Sequence, residues 1–455
     1  MKLIYQQAAS VSVWLGGEGE EGDIAWSLLE DLDNASDTTL NAIVGDSSRF
    51  NQFQALKKIF RRRYWFRIWV AQEVTVGKSV TVYCGRHSIS WGRLNEICED
   101  LKHLKEYLIW SLYPNDPTSV FSLLSGGPKS LGLTKWSVKT QSEIQPPLLE
   151  LLYAHMSKHS SDPRDKVYAL VGISNSQVSF GPIDYERSLV ETFTHTARHL
   201  ISTTRSLDVI CACQNEDVMH DLPSWAPDWE RRSKYPMHRV MGLHIRRPQY
   251  ETAGKDSEAI VSFSEDSRVL TARGFALDTI KEVSSTFWID GHHKDEHKIV
   301  QTLHTFKEWW TLYSNFKGTE ASLEEFNHTF CGGSWAAVYD VHDKKRLELF
   351  CALFKTLLPE HDFEHAPFPG TTAESDEDQR STVSTASLRM HNRRLALSAN
   401  EGLACLAPPT AQPGDVACIL LGCNFPVLLH KVEDGYYTLV GEIYVDGKMN
   451  GEAMK

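Results

Sequence analysis

Strand-type and helix-type patterns take turns over the first 95 residues, and this alternation constrains the fold more than any other feature of the chain. Leu3, Ile4 and Ala8 stand at helical spacing. Val11, Val13 and Leu15 then alternate with Ser12 and Trp14 until Gly16-Gly17 ends the run, so a short helix, a half-buried strand and a turn are expected. Ile24 to Leu32 has the apolar spacing of an amphipathic helix. Phe50 to Val74 reads as a long helix broken at Arg61–Arg63, and Val80, Val82 and Cys84 form a second alternating strand stopped by Gly85. Strands separated by helices predict a parallel α/β layer.

Farther along, the patterns segregate. Residues 96–230 read as mostly helical. There Asp162-Pro163-Arg164-Asp165 has the form of a helix start, with Asp162 as cap, Pro163 at the first position and Asp165 three residues after the cap. A second helix is expected over 187–203, and Pro223 to Trp229 as a packed loop. Residues 231–365 mix short extended runs, such as Ala259–Phe263 and Val269–Gly274, with a helical aromatic stretch from 301. Residues 366–392 are acidic and rich in Ser and Thr, the composition of a flexible linker. Residues 393–455 form a β-rich C-terminal unit, with strands at Asp415–Gly422, Pro426–Val432 and Tyr436–Tyr444 and a turn at Asp434-Gly435. The expected fold class is α+β: an α/β unit over 1–95, a helical middle, and a meander or barrel-like sheet at the end.

A formal net charge of −12 argues against broad nucleic-acid binding, which needs a basic footprint. The nine cysteines are scattered without the paired spacing of a zinc site; the closest two, Cys211 and Cys213, chelate poorly. This points to a reduced, cytoplasmic chain. The N-terminus lacks the apolar core of a secretory signal, and no stretch approaches the roughly 20 apolar residues of a membrane span.

Several ordered segments resemble the fungal heterokaryon-incompatibility (HET) domain family. Ile4-Tyr5-Gln6-Gln7-Ala8 with Val11-Ser12-Val13-Trp14-Leu15-Gly16 resembles the middle block of that domain. Tyr64-Trp65-Phe66-Arg67-Ile68-Trp69-Val70-Ala71-Gln72-Glu73-Val74 resembles its last block. Asp162 to Leu170 and Leu222 to Trp229 resemble segments that commonly follow it, and Gly414 to Glu442 resembles the C-terminal end of such proteins. An earlier block found in full-length members, with an Ala-Leu-Ser-Tyr-x-Trp-Gly-like strand, has no match, so the chain is read as starting partway through the domain. The resemblance implies a role in self/non-self recognition and incompatibility cell death, with protein partners or self-assembly.

HET domains have been compared with TIR-type domains, some of which cleave NAD at the nicotinamide–ribose bond. The resemblance therefore implies NAD as a substrate, with no resident cofactor. In such enzymes a glutamate lies in a Trp-x-x-x-Glu-like segment, and Trp69-Val70-Ala71-Gln72-Glu73 has that shape. Carried over, Glu73 would be the catalytic carboxylate, Trp69 a stacking wall and Gln72 a polar contact. Spacing of four puts Trp69 and Glu73 on one helix face, and a carboxylate there could stabilise oxocarbenium charge. A bland reading stands beside this one: Trp65, Ile68 and Trp69 fit an ordinary core, and Glu73 a pairing with Arg67 or a neighbouring loop. The remaining motifs read as structural. The Arg61–Arg63 run suits a solvated helix end. The pairs His155/His159 and His195/His199 have helical spacing but no third metal ligand, so no metal is expected. The alternative function is a non-catalytic interaction module, whose sheet edge would serve as a pairing template.

Overall fold

The computed structural model describes residues 2–104, 146–213 apart from 177, 221–230, 250–288, 295–330 and 390–454, with a few isolated positions between them. Most of the segment read as a linker, 366–392, lies outside the described residues, as does the 231–249 stretch. The chain is α+β and divides into two units: residues 1–187 with 229–234, and residues 188–228 with 235–455.

In unit 1, α1 (Lys2–Gln7) leads into β1 (Val11–Trp14), whose side chains alternate between buried and exposed as period-two patterning requires. β1 pairs in parallel with β2 (Val80–Cys84), and β3 (His87–Ser90) closes the order β1-β2-β3 by pairing antiparallel to β2. The crossover between β1 and β2 holds α2 (Gly22–Asp33), α3 (Asp37–Gly45), α4 (Phe50–Phe60) and α5 (Val70–Val76). Such connections cover a parallel sheet and explain why Val13 and Val82 are fully buried. Beyond β3 come α6 (Trp91–His103), α7 (Leu148–Ala154) and α8 (Asp165–Val171).

The predicted long helix over 50–74 is interrupted far more widely than an arginine run alone would require. α4 ends at Phe60, a 3-10 turn covers Arg63–Phe66, and Arg67 is extended and bridges in parallel to His159. The Arg62 guanidinium helps hold the break open. Far from a solvated helix end, it donates to the carbonyls of Leu15, Gly17 and Glu18 at 3.0, 2.6 and 2.9 Å, tying the turn after β1 to the end of α4.

In unit 2, α9 (Leu189–Thr204) begins with a reciprocal capping box between Ser188 and Glu191. A small hairpin, β4 (Val261–Phe263) with β5 (Leu270–Ala272), precedes β6 (Gly274–Val283). Helices α10 (Asp295–Lys317) and α11 (Leu323–Phe330) follow, then β7 (Arg394–Ser398), β8 (Ala404–Ala407), β9 (Val416–Leu420), β10 (Val427–Lys431), β11 (Tyr437–Glu442) and β12 (Tyr444–Val445). The seven-stranded order is β11-β10-β9-β6-β7-β8-β12, every pairing antiparallel. Its two end strands are consecutive in the chain and separated only by Ile443, so the sheet must curl back on itself into a barrel. Register shifts in β6 between Ala276 and Asp278 and between Ile280 and Glu282 supply the bends that such closure needs. The core is packed with small side chains, among them Ala396, Cys405, Ala407, Ala411 and Ala417, which suit a narrow interior.

Candidate functional site

The local geometry of the sequence-predicted site follows from the break before α5. After the extended Arg67, the chain turns helical at Trp69, and the Glu73 amide donates to the Trp69 carbonyl at 3.2 Å. The spacing of four is thus a real helical turn. Each of the three side chains, however, is engaged by the surrounding protein.

Glu73 is only 8 % exposed, and its Oε2 accepts the Tyr64 hydroxyl at 2.7 Å. Burial, then the charge of Glu73, pushes the Tyr64 phenol well above its ordinary range, so it remains a donor. Burial and then Glu73 also raise the Tyr5 phenol, and Arg67 opposes that rise. Sequence reading offered Arg67 or a neighbouring loop as the partner of Glu73; the hydrogen bond comes from Tyr64, which projects from the neighbouring 3-10 turn. Gln72 is buried, its Nε2 donates to the Ala169 carbonyl at 2.7 Å, and a Cβ on Gly172 would lie 2.5 Å from that nitrogen. The glycine therefore permits the close approach of α5 to α8. Trp69 is half-buried and its indole N–H donates to Asp165 Oδ2 at 3.0 Å.

Asp165 corrects a second expectation. It is no capping residue: its other oxygen accepts the Tyr185 hydroxyl at 2.6 Å, so it joins α5 to the segment after α8. Asp162 accepts the Arg164 amide at 3.0 Å and binds its guanidinium, which lowers the Asp162 carboxyl, chiefly through that side-chain hydrogen bond. Arg164 bridges to another segment, donating to the Tyr185 and Arg187 carbonyls at 2.6 and 2.8 Å. Sequence spacing offered no signal for the Trp69–Asp165–Tyr185 cluster, because its members come from three separate elements.

Chemically, the Glu73 carboxylate is an acceptor fixed by phenols, and it could stabilise a cation only if a substrate displaced part of that shell. Among the described residues, neither histidine pair belongs to a cluster of three potential metal ligands. His155 follows the end of α7 and His159 forms the bridge to Arg67, so they do not share a helix face; the His195 and His199 rings stack 6.4 Å apart on α9. Among the described residues, Glu18, Asp23 and His87 bring potential ligand atoms within 4.8 Å of one another. The Arg86 guanidinium lies among them, 2.7 Å from Asp23 and 3.8 Å from Glu18, so the cluster is already charge-paired.

Comparison with known proteins agrees with this architecture at both ends. Residues 1–73 match the family described as heterokaryon incompatibility protein (HET), and residues 371–455 match the Het-6 β-barrel domain. The chain thus resembles HET-domain-containing proteins over both of these spans. In particular, it is similar to heterokaryon incompatibility protein 6, OR allele, of Neurospora crassa, with 23% identity over 546 aligned residues, covering 99% of this chain and 78% of the relative. No solved structure matches it. β6 lies outside the span matched by the barrel domain, yet it is the central strand of the seven-stranded order.

Proposed function

We propose that this chain acts in fungal self/non-self incompatibility as a protein-interaction module, and that recognition through unit 1, rather than NAD cleavage, is its working step. The role in incompatibility rests on the likeness to the Neurospora protein. The mode of action rests on one observation: among the described residues, β1 has a strand neighbour on one side only, and Trp14 at its end is 56 % exposed. An open strand edge with an exposed indole offers backbone hydrogen bonds and apolar surface to a partner segment. The engagement of Trp69, Gln72 and Glu73 by Asp165, Ala169 and Tyr64 favours a packing role for the TIR-like triplet.

The test separates the two chemistries. The full chain and its Glu73→Gln variant, which keeps the shape of the side chain, are assayed for nicotinamide release from NAD and for growth arrest on expression in a fungal host. The interaction reading expects no nicotinamide release from either and equal growth arrest from both. Nicotinamide release that Glu73→Gln abolishes, together with loss of the arrest, would restore the glycohydrolase reading with Glu73 as the catalytic carboxylate.

A further inference from the structure

Two thiols that stand 212 positions apart in sequence face one another within unit 2. Cys211 lies in the 3-10 turn Asp208–Ala212, and Cys423 lies in the turn between β9 and β10. Their sulfurs are 3.6 Å apart, and the residues are 0 % and 1 % exposed. The segments that carry them are clamped on both sides of the pair. The Leu207 amide donates to the Gly422 carbonyl at 2.7 Å, and the Asn424 amide and side chain donate to the two Asp208 oxygens at 2.9 and 2.8 Å. The backbone beside each cysteine is thus bonded to the backbone or side chain beside the other. A disulfide requires an S–S separation of about 2.05 Å, so the sulfurs must approach by roughly 1.5 Å, a distance that side-chain rotation covers while the clamps stay in place.

We propose that Cys211 and Cys423 are a redox pair that a peroxide closes into a disulfide, stapling the 208–212 turn to the turn between β9 and β10. One sulfur, as thiolate, attacks a peroxide oxygen; the O–O bond breaks, and a sulfenic acid and hydroxide form. The second sulfur attacks the sulfenic sulfur, the S–S bond forms, and the displaced hydroxide leaves as water with the thiol proton. Two thiols lose two electrons and hydrogen peroxide is reduced to two waters. The hydrogen bond to Cys423, followed by burial, holds the Cys211 thiol well above its ordinary range, so thiolate is scarce and closure is slow. A staple spanning so long a loop restricts the unfolded chain and stabilises unit 2.

The full chain is purified reduced, treated with hydrogen peroxide, denatured, blocked with N-ethylmaleimide and mapped by mass spectrometry. The expected result is a crosslinked pair of peptides containing Cys211 and Cys423, neither labelled until dithiothreitol is added. The unfolding temperature of oxidised protein rises by several degrees, the rise reverses on reduction, and Cys423→Ser removes it. Labelling of both cysteines after peroxide treatment overturns the proposal. So does a Cys211–Cys213 link, or sulfinic acid at either position without a crosslink. The peptide map needs no variant and decides the matter even if Cys423→Ser fails to fold.

Discussion

The two sheets of this protein solve the edge problem in opposite ways. Among the described residues the sheet of unit 1 has three strands and ends at β1, where Trp14 is exposed. The sheet of unit 2 has seven strands, and its two terminal strands are joined by a single residue, so each end protects the other. In β1 burial alternates, whereas β8 is buried at every position. A closed barrel is specified by its own pairing, and an open edge stays available for another chain. The buried charge differs as well. The barrel buries a complementary pair, Arg393 and Glu442, 2.7 Å apart. Unit 1 buries three basic side chains: Lys158 and Lys166 donate to backbone carbonyls, and among the described residues neither ring nitrogen of His155 has a hydrogen-bond partner.

The largest expected effect tests whether the barrel depends on its internal ion pair. Arg393 Nη1 also donates to the Glu442 carbonyl at 2.9 Å, so one guanidinium holds the end of β11 to the start of β7. Arg393→Ala removes the cation opposite a carboxylate that is 2 % exposed. Unit 2 should lose roughly 3–5 kcal/mol, read as a lowered denaturation midpoint. A loss below about 1 kcal/mol would show that closure at Ile443 suffices without the pair.

Acid should separate the units next. Burial, reinforced by the charges of Lys158 and Lys166, pushes His155 down from 6.5 to about 3. Between those values the unfolded chain binds a proton that the folded chain refuses. The His155 contribution to unit 1 is therefore complete above pH 6.5 and is lost as pH falls from there through about 3, by about 1.4 kcal/mol per unit at most. The barrel behaves differently. Burial acts to raise Asp278, but hydrogen bonds from the Glu401 amide, Ser398, and the Asn400 and Thr279 amides outweigh it and hold the carboxyl at about 2. Its contribution persists above 3.8 and is lost only as pH falls from there through about 2. Urea titrations at pH 7, 5 and 4 should show unit 1 weakening first, and His155→Phe should flatten that dependence. An unchanged slope in the variant would remove His155 as the cause.

The contrast between the sheets was only half legible in the sequence. Val11–Leu15 and Val80–Cys84 announced their strands because period-two burial is a local property. The strands from β9 to β11 were equally plain, whereas β7 and β8 were read only as part of a β-rich region. A meander or barrel-like sheet was expected there, but the part of β6 was not, because it enters between β9 and β7 across more than a hundred residues and no local pattern encodes that pairing. The same limit governs the candidate site. Trp69 and Glu73 were visible as a motif, but Tyr64, Asp165 and Ala169, which decide what those side chains do, come from other turns and helices. Gly172 does end α8, and it also permits the close packing against Gln72, a long-range role that spacing could not disclose.

The smallest effect on stability should be the most informative about function. Trp14 ends an edge strand with its side chain in water, so Trp14→Lys removes no core packing and should change folding free energy by no more than about 0.5 kcal/mol. A lysine on an exposed edge is also the residue type that proteins use to block strand addition. If β1 is the recognition edge, the variant folds normally, keeps the acid profile of unit 1 and no longer arrests growth on expression. A mutation that spares the fold yet removes the phenotype locates the activity at the open edge. A Trp14→Lys protein that folds and still arrests growth would place recognition elsewhere, and the open strand would then be a consequence of the topology rather than its use.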